Sequence, residues 1–272
     1  MYINYIILLI IFLKKYKPKT PSLRFKKDVF KFKSLFSYQS DFFFKVKNKS
    51  GRNDKGKVIL KTRCKNYYNN ITILNNNRNL KVNLGLVIKI NFINKNSCFI
   101  GLIKYYDGSL SFIKLTGGLF IGNITQSIDP FFNKLLNNVT MLGCSINLCM
   151  LPKYAFFSNI IFNSKKRPVY GNSAGTYLTI YKFFNDTNIF LIKLPTGALK
   201  YVSGNSNILI GRNSNFLHKF SYIGKAGTNI KRGFKSNVRG VAMNPVDHPH
   251  GGRTKTNQPE MSPWGWVTKK NK

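Results

Sequence analysis

In LKVNLGLVIKINF, residues 80–92, the apolar side chains Leu80, Val82, Leu84, Leu86, Ile88, Ile90 and Phe92 fill every even position. This period of two predicts a strand with that one face buried. Two further β-rich runs, SCFIGLIKYY and SLSFIKL, flank Asp107-Gly108, a hairpin pair in which both turn residues are expected at positive φ. With Gly117-Gly118 and LFIG next in line, a small antiparallel barrel or sandwich is expected over 79–148. The runs GTYLTIYKFF (175–184), IFLIKL (189–194) and ALKYVS, joined by NDTN and PTG, read as a three-stranded meander. Meanders of this kind build small barrels, so a second all-β unit is expected over 149–218.

The flanks behave differently. Residues 14–78 are basic and broken by Pro18, Pro21, Gly51 and Gly56, which predicts an arm with little core of its own over 1–78. From Gly224 onward the periodicity disappears amid Lys, Arg, Gly and Pro. A C-terminal segment over 219–272 must therefore order against something else or stay mobile. The opening MYINYIILLIIFLKK has an apolar stretch well short of the about 20 residues that cross a bilayer. It lacks a positive n-region and a small-residue cleavage site, and it is not rich in Arg and Ser, so neither a secretory signal nor a transit peptide is expected. A buried strand or a short helix packed on a neighbour is.

Charge changes the picture most. The 272 residues hold 44 Lys and Arg against 8 Asp and Glu, a net +36, spread from Lys14 to Lys272. Such a chain repels itself unless a polyanion neutralises it, which points to RNA or DNA as a structural partner. The acids are Asp28, Asp41, Asp54, Asp107, Asp129, Asp186, Asp247 and Glu260. That is little material for catalysis by a carboxylate pair or by two metals. Cys64, Cys98, Cys144 and Cys149 form no C-x-x-C pair, so reduced thiols are expected, with Cys98 in a core.

Candidate chemistry concentrates in RGVAMNPVDHPHGG, residues 239–252. Its glycines let backbone N–H groups approach a phosphate closely, and Pro245 and Pro249 pre-set an extended path. Imidazole can stack on a base, donate to phosphate or bind a 2′-hydroxyl. A zinc site would need Asp247, which faces the other side of a strand from His248 and His250, and the only other histidine is His218. A catalytic His–Asp pair lacks an evident nucleophile. Contact with RNA is the expected role; a histidine that only structures a turn is the alternative.

At these residues the sequence resembles the signature of the universal large-subunit ribosomal protein two family, the L two family. GKAGTNIKRGFKSNVRGVAMNPVDHPHGG is similar to the family's C-terminal extension and SPWGWVTK to its closing Pro-Trp-Gly element. NSAGTYLTI resembles its Ser-Ala-Gly-Thr-Tyr strand and YYDGSLSFI its Tyr-x-Asp-Gly hairpin. KPKTPSLRFKK and KSGRNDKGKVILKTR look like its N-terminal arm, so the likeness runs in order from residue 17 to 270. It implies an all-β fold of two small barrels, oligonucleotide-binding-type (79–148) then SH3-like (149–218), with arm and extension penetrating large-subunit rRNA. It also implies a structural, non-enzymatic part of the large subunit near the peptidyl transferase centre and the subunit interface, beside neighbouring ribosomal proteins. The rRNA-binding residues so expected are Arg52, Lys55, Arg63, Lys165, Lys166, Arg167, Lys225, Lys231, Arg232, Lys235, Arg239, Gly240, Met243, Asn244, Pro245, Asp247, His248, His250, Gly251, Gly252, Arg253 and Trp264.

Two departures matter. Arg253 stands where the family continues with a third glycine and an acidic residue, and the long basic tail of bacterial members is cut short at Lys272. No cofactor is expected beyond magnesium associated with the rRNA. The excess of Lys, Asn, Ile, Phe and Tyr over Arg and Ala looks like AT-rich coding, which favours a mitochondrial ribosome, in the matrix, then a plastid one, then a bacterial cytosol. The rival readings are a metal-dependent RNA-processing enzyme built on Asp247, His248 and His250, and a free RNA chaperone.

Overall fold

The computed structural model describes residues 13–29, 42–45, 49–64, 70–76, 78, 84–92, 97–127, 141–152, 154–162, 164–165, 167–252 and 259–269. The opening apolar segment to residue 12, Leu80, Val82, Lys166 and Arg253 lie outside them. The chain divides into two compact units: Met1–Val46 with Asn70–Gly224, and Lys47–Asn69 with Lys225–Lys272.

The first unit is all-β, as expected. Its strands are β1 (Leu13–Lys15), β2 (Lys27–Val29), β3 (Phe43–Lys45), β4 (Asn70–Thr72), β5 (Leu84–Phe92), β6 (Phe99–Tyr105), β7 (Leu110–Lys114) and β8 (Ile124–Gln126). There follow β9 (Ser145–Asn147), β10 (Phe157–Ile161), β11 (Thr179–Phe184), β12 (Ile189–Lys193), β13 (Leu199–Ser203) and β14 (Asn207–Ile210). The antiparallel pairs β1–β2 and β3–β4 stand beside a four-stranded sheet ordered β7-β6-β5-β8. Two three-stranded sheets, β10-β14-β9 and β11-β12-β13, complete it.

In β5 the expected face is reversed over its first half. Leu84, Leu86 and Ile88 are 53%, 45% and 40% exposed, whereas Val87 is fully buried. Gly85 points inward against Ile103 and Tyr105, with no room for a side chain. The register slips between Val87, opposite Ile103, and Lys89, opposite Leu102. Ile88 is thus an extra, unpaired residue, and this bulge switches the phase so that Ile90 enters the core. Val87, Ile90, Ile103, Tyr105, Ile113, Leu115 and Leu119 pack together there.

The β6–β7 turn also differs. Gly108 alone has positive φ, at +78°. Tyr105 and Ser109 close a three-residue loop, and Ser109 N–H donates to Asp107 Oδ1 at 3.0 Å. This is the longer hairpin in which a single glycine takes the left-handed position.

The boundary expected at 148 falls within the second core. β9 pairs with β14, and Cys144, Ile146 and Leu148 pack with Phe157, Leu178, Phe190, Ile192, Val202 and Ile208. Pairing with a strand 60 residues downstream outweighs chain continuity here. The meander forms as expected, with a bulge at Tyr181. The NSAGT stretch is a clasp: fully buried Asn213 donates from Nδ2 to the carbonyls of Gly171 and Ser173 at 2.6 and 3.0 Å.

The expected arm over 1–78 is divided. Residues 47–69 belong to the second unit, while Arg78 is buried in the first and donates from Nη1 to Gly143 O at 2.8 Å.

Candidate nucleic-acid interface

The second unit joins two stretches from opposite ends of the chain. Residues 49–64 fold on themselves: Arg52 bridges Val58, and Ile59 and Leu60 both donate to Gly51 O. The C-terminal stretch opens with a short helix at Ala226–Lys231. Cys64 N–H donates to Gly233 O at 3.2 Å and Lys235 N–H to Thr62 O at 2.9 Å, around the bridge between Arg63 and Phe234. The Arg63 guanidinium lies 4.5 Å from the Phe234 ring centroid, and Lys61 Nζ lies 5.8 Å from that of Trp264. The segment without periodicity has therefore found a partner within its own chain, and the backbone groups at the join are satisfied by it.

Within that unit residues 239–252 form a tight, self-bonded loop. Gly240–Ala242 make one 3-10 turn. Asp247 N–H and His248 N–H both donate to Asn244 O, Gly251 N–H to His248 O, and Gly252 N–H to Met243 O. Two prolines and three glycines meet the steric needs of this path. A Cβ on Gly240 would come 2.5–2.8 Å from three atoms of the His248 ring, one on Gly251 would meet the Asn244 carbonyl, and Gly252 has φ +81°.

The two histidines are framework, not display. His248 is only 7% exposed, and its Nδ1 accepts from His250 N–H at 3.0 Å. In the neutral ring the proton is therefore on Nε2. His250 Nε2 lies 3.1 Å from Met261 N–H and 3.2 Å from Pro259 O, which ties the loop to residues 259–261. The ring centroids are 4.9 Å apart. Loss of hydration is the first cause that lowers the His248 pKa below the ordinary 6.5, followed by the charges of His250 and Lys61. The shield over the ring is a thin layer of loop, not a deep core.

The unfolded loop binds a proton at His248 more readily than the folded one, so the loop's stability is full above about pH 6.5 and falls as the pH drops below it. Protonation at Nδ1 also removes the acceptor used by His250 N–H. Protection of the His250 amide, corrected for intrinsic exchange, should fall on going from pH 7.5 to 5.5. In His248→Gln that decrease should vanish; an equal decrease would assign it elsewhere.

The second unit displays cations and polar groups beside apolar side chains such as Val246, 90% exposed. Arg52, Lys55, Arg63, Lys225, Lys231, Lys235, Arg239, Asn244, Pro245, Asp247, Gly252 and Trp264 are exposed; Arg232, Gly240, Met243, His250 and Gly251 are half-buried. All belong to the second unit, whereas exposed Lys165 and Arg167 belong to the first. Among the described residues the unit's acids are mostly engaged: Asp54 pairs with Lys49 and Glu260 with Lys269. No three His, Cys, Asp or Glu side chains gather as a metal site among the described residues. Sequence reading passed over Lys61, which nothing distinguishes from its neighbours locally; of the two tryptophans in the closing Pro-Trp-Gly element, Trp266 is 75% exposed and Trp264 44%.

The family profile described as Ribosomal Proteins L2, RNA binding N-terminal domain matches residues 40–127, and Ribosomal Proteins L2, C-terminal domain matches residues 141–265. The large ribosomal subunit protein uL2m of Reclinomonas americana is 32% identical over 268 residues, covering 94% of this chain and 91% of that protein. The uL2m of Paramecium tetraurelia is 32% identical over 245 residues, 85% of this chain and 92% of its own. A bacterial relative, uL2 of Wigglesworthia glossinidia brevipalpis, is 31% identical over 266 residues, 96% of this chain and 92% of its own.

Proposed function

This chain belongs to the ribosomal protein L2 family, and from that premise we propose that it holds large-subunit rRNA in place within a mitochondrial ribosome. It is a structural constituent of the large subunit, built on an oligonucleotide-binding-type barrel and an SH3-like barrel. The two relatives named uL2m support the mitochondrial setting. The observation that carries the mode of binding is the second unit. Its Lys and Arg are mostly exposed and share the unit with a loop closed by its own backbone hydrogen bonds; among the described residues Lys49 and Lys269 are the ones paired with a carboxylate. A pre-formed loop loses little entropy on docking, and its cations neutralise phosphates and release counterions.

Arg239, Asn244 and the backbone near Gly252 face RNA, while His248 keeps their spacing from within. Most contacts are point-charge neutralisation by lysine, and magnesium associated with the rRNA shares that work. The loop supports the peptidyl transferase centre and the subunit interface, and peptide bond formation remains with RNA. Sedimentation of the native protein with large subunits, and ultraviolet crosslinks from residues 225–252 to rRNA, are expected; a chain that sediments free of particles at high salt refutes the reading. Replacing both Lys235 and Arg239 by serine should flatten the log–log salt slope of rRNA binding by about 2, at about 0.9 per duplex phosphate. An unchanged slope would remove these two side chains from the interface.

A further inference from the structure

We propose that the outer face of the β11-β12-β13 meander is a second RNA-binding surface, one that stacks an unpaired base. This deepens the rRNA-binding reading above and rests on it. The register defines the face. Leu191 lies between Lys182 and Tyr201, Ile189 between Phe184 and Ser203, and Lys193 between Thr179 and Leu199. Phe190, Ile192 and Val202 point the opposite way and are buried in the core. A sheet face left to water carries polar side chains. Here five of the nine positions are apolar, with Tyr201 69% and Leu199 44% exposed. Such a face is built to be covered.

Its charge says by what. The three strands carry no acid; Asp186 sits in the β11–β12 turn. Lys182 and Lys193 stand exposed on the face itself. Lys182 Nζ lies 5.0 Å from the Phe184 ring centroid, and the rings of Phe184 and Tyr201 lie 6.1 Å apart. A shelf of two aromatics flanked by lysines fits a base between phosphates, the combination that single-stranded RNA uses on aromatic-bearing sheets. A second copy of this chain would bring the same lysines and a net +36 against them. A neighbouring protein could bury the apolar area but leaves both lysines without an anion unless it is acidic.

The test places benzoylphenylalanine at position 201 of the full chain, in assembled ribosomal particles, and irradiates them. A crosslink to an unpaired rRNA nucleotide is the expected result. A crosslink to protein, or none in particles that contain the chain, overturns this inference and leaves the rRNA-binding role standing. Failure of the unsubstituted chain to enter particles overturns both. In parallel, Tyr201→Phe should keep wild-type retention in high-salt washes, while Tyr201→Ser should lower it about tenfold, as loss of one stacked base does. Equal retention by both variants overturns the stacking role.

Discussion

Phe157→Ala should cost the first unit roughly 3–5 kcal/mol, the range for emptying a phenylalanine site in a packed core. Phe157 is fully buried, and it stands where the two three-stranded sheets meet. On one side it pairs with Ile210 in β14. On the other it exchanges both backbone hydrogen bonds with Leu178, at 3.2 and 2.7 Å, just ahead of β11. Its ring packs in a cluster with side chains from β9, β12, β13 and β14. Walls contributed by two sheets cannot all move inward, so the cavity persists and the penalty stays near the upper end. Whole-domain stabilities are about 5–15 kcal/mol, so much of the reserve would go. Denaturant unfolding of the full chain measures it, with Phe157→Leu expected to lose less. A loss below about 1 kcal/mol would show that the site relaxes and that the two sheets are not locked through this ring.

The second large effect is expected at Gly251. A Cβ there would run into the Asn244 carbonyl and come within 2.8 Å of Met243 O. Both obstacles are main chain, held by the bonds from His248 N–H and Gly252 N–H. A flexible side chain could step aside; these carbonyls cannot without opening the loop. Gly251→Ala should therefore cost about 3 kcal/mol locally, the upper part of the over-packing range. Amide protection at His248, Gly251 and Gly252 should collapse, and rRNA affinity should drop with it. The cores around Ile103 and Phe157 should keep their unfolding transition. If protection in the loop survives, the 239–252 path is not the rigid element described above.

Local chemistry was readable in the sequence, and partner choice was not. The strand at 84–92, the meander turns and the loop-forming content of 239–252 all follow from short-range rules. The buried face of β5 did not, because apolar residues occupy both phases: Val87 competes with Leu86, and Gly85 carries no side chain to signal where it points. Only the bulge at Ile88 reconciles the two, and a bulge depends on the partner strand. Ser145–Asn147 joined the second core for a similar reason, through pairing with Asn207–Leu209. In the candidate site the residue types were legible and their orientation was not. The burial of His248 depends on Gly240 lying flat against its ring, a contact eight positions away that no periodicity marks. The pairing of 62–64 with 233–235 is more distant still.

That last pairing governs the order of events at synthesis. Cys64 meets Ile230 across 166 residues, and closing so long a loop is slow compared with forming the hairpins between them. The barrels can condense while the chain is still emerging, whereas the second unit has to wait for its far half. A nascent or truncated copy thus carries the first unit without the second, and only a chain that has reached residue 235 can close the pairing between the two halves of the latter.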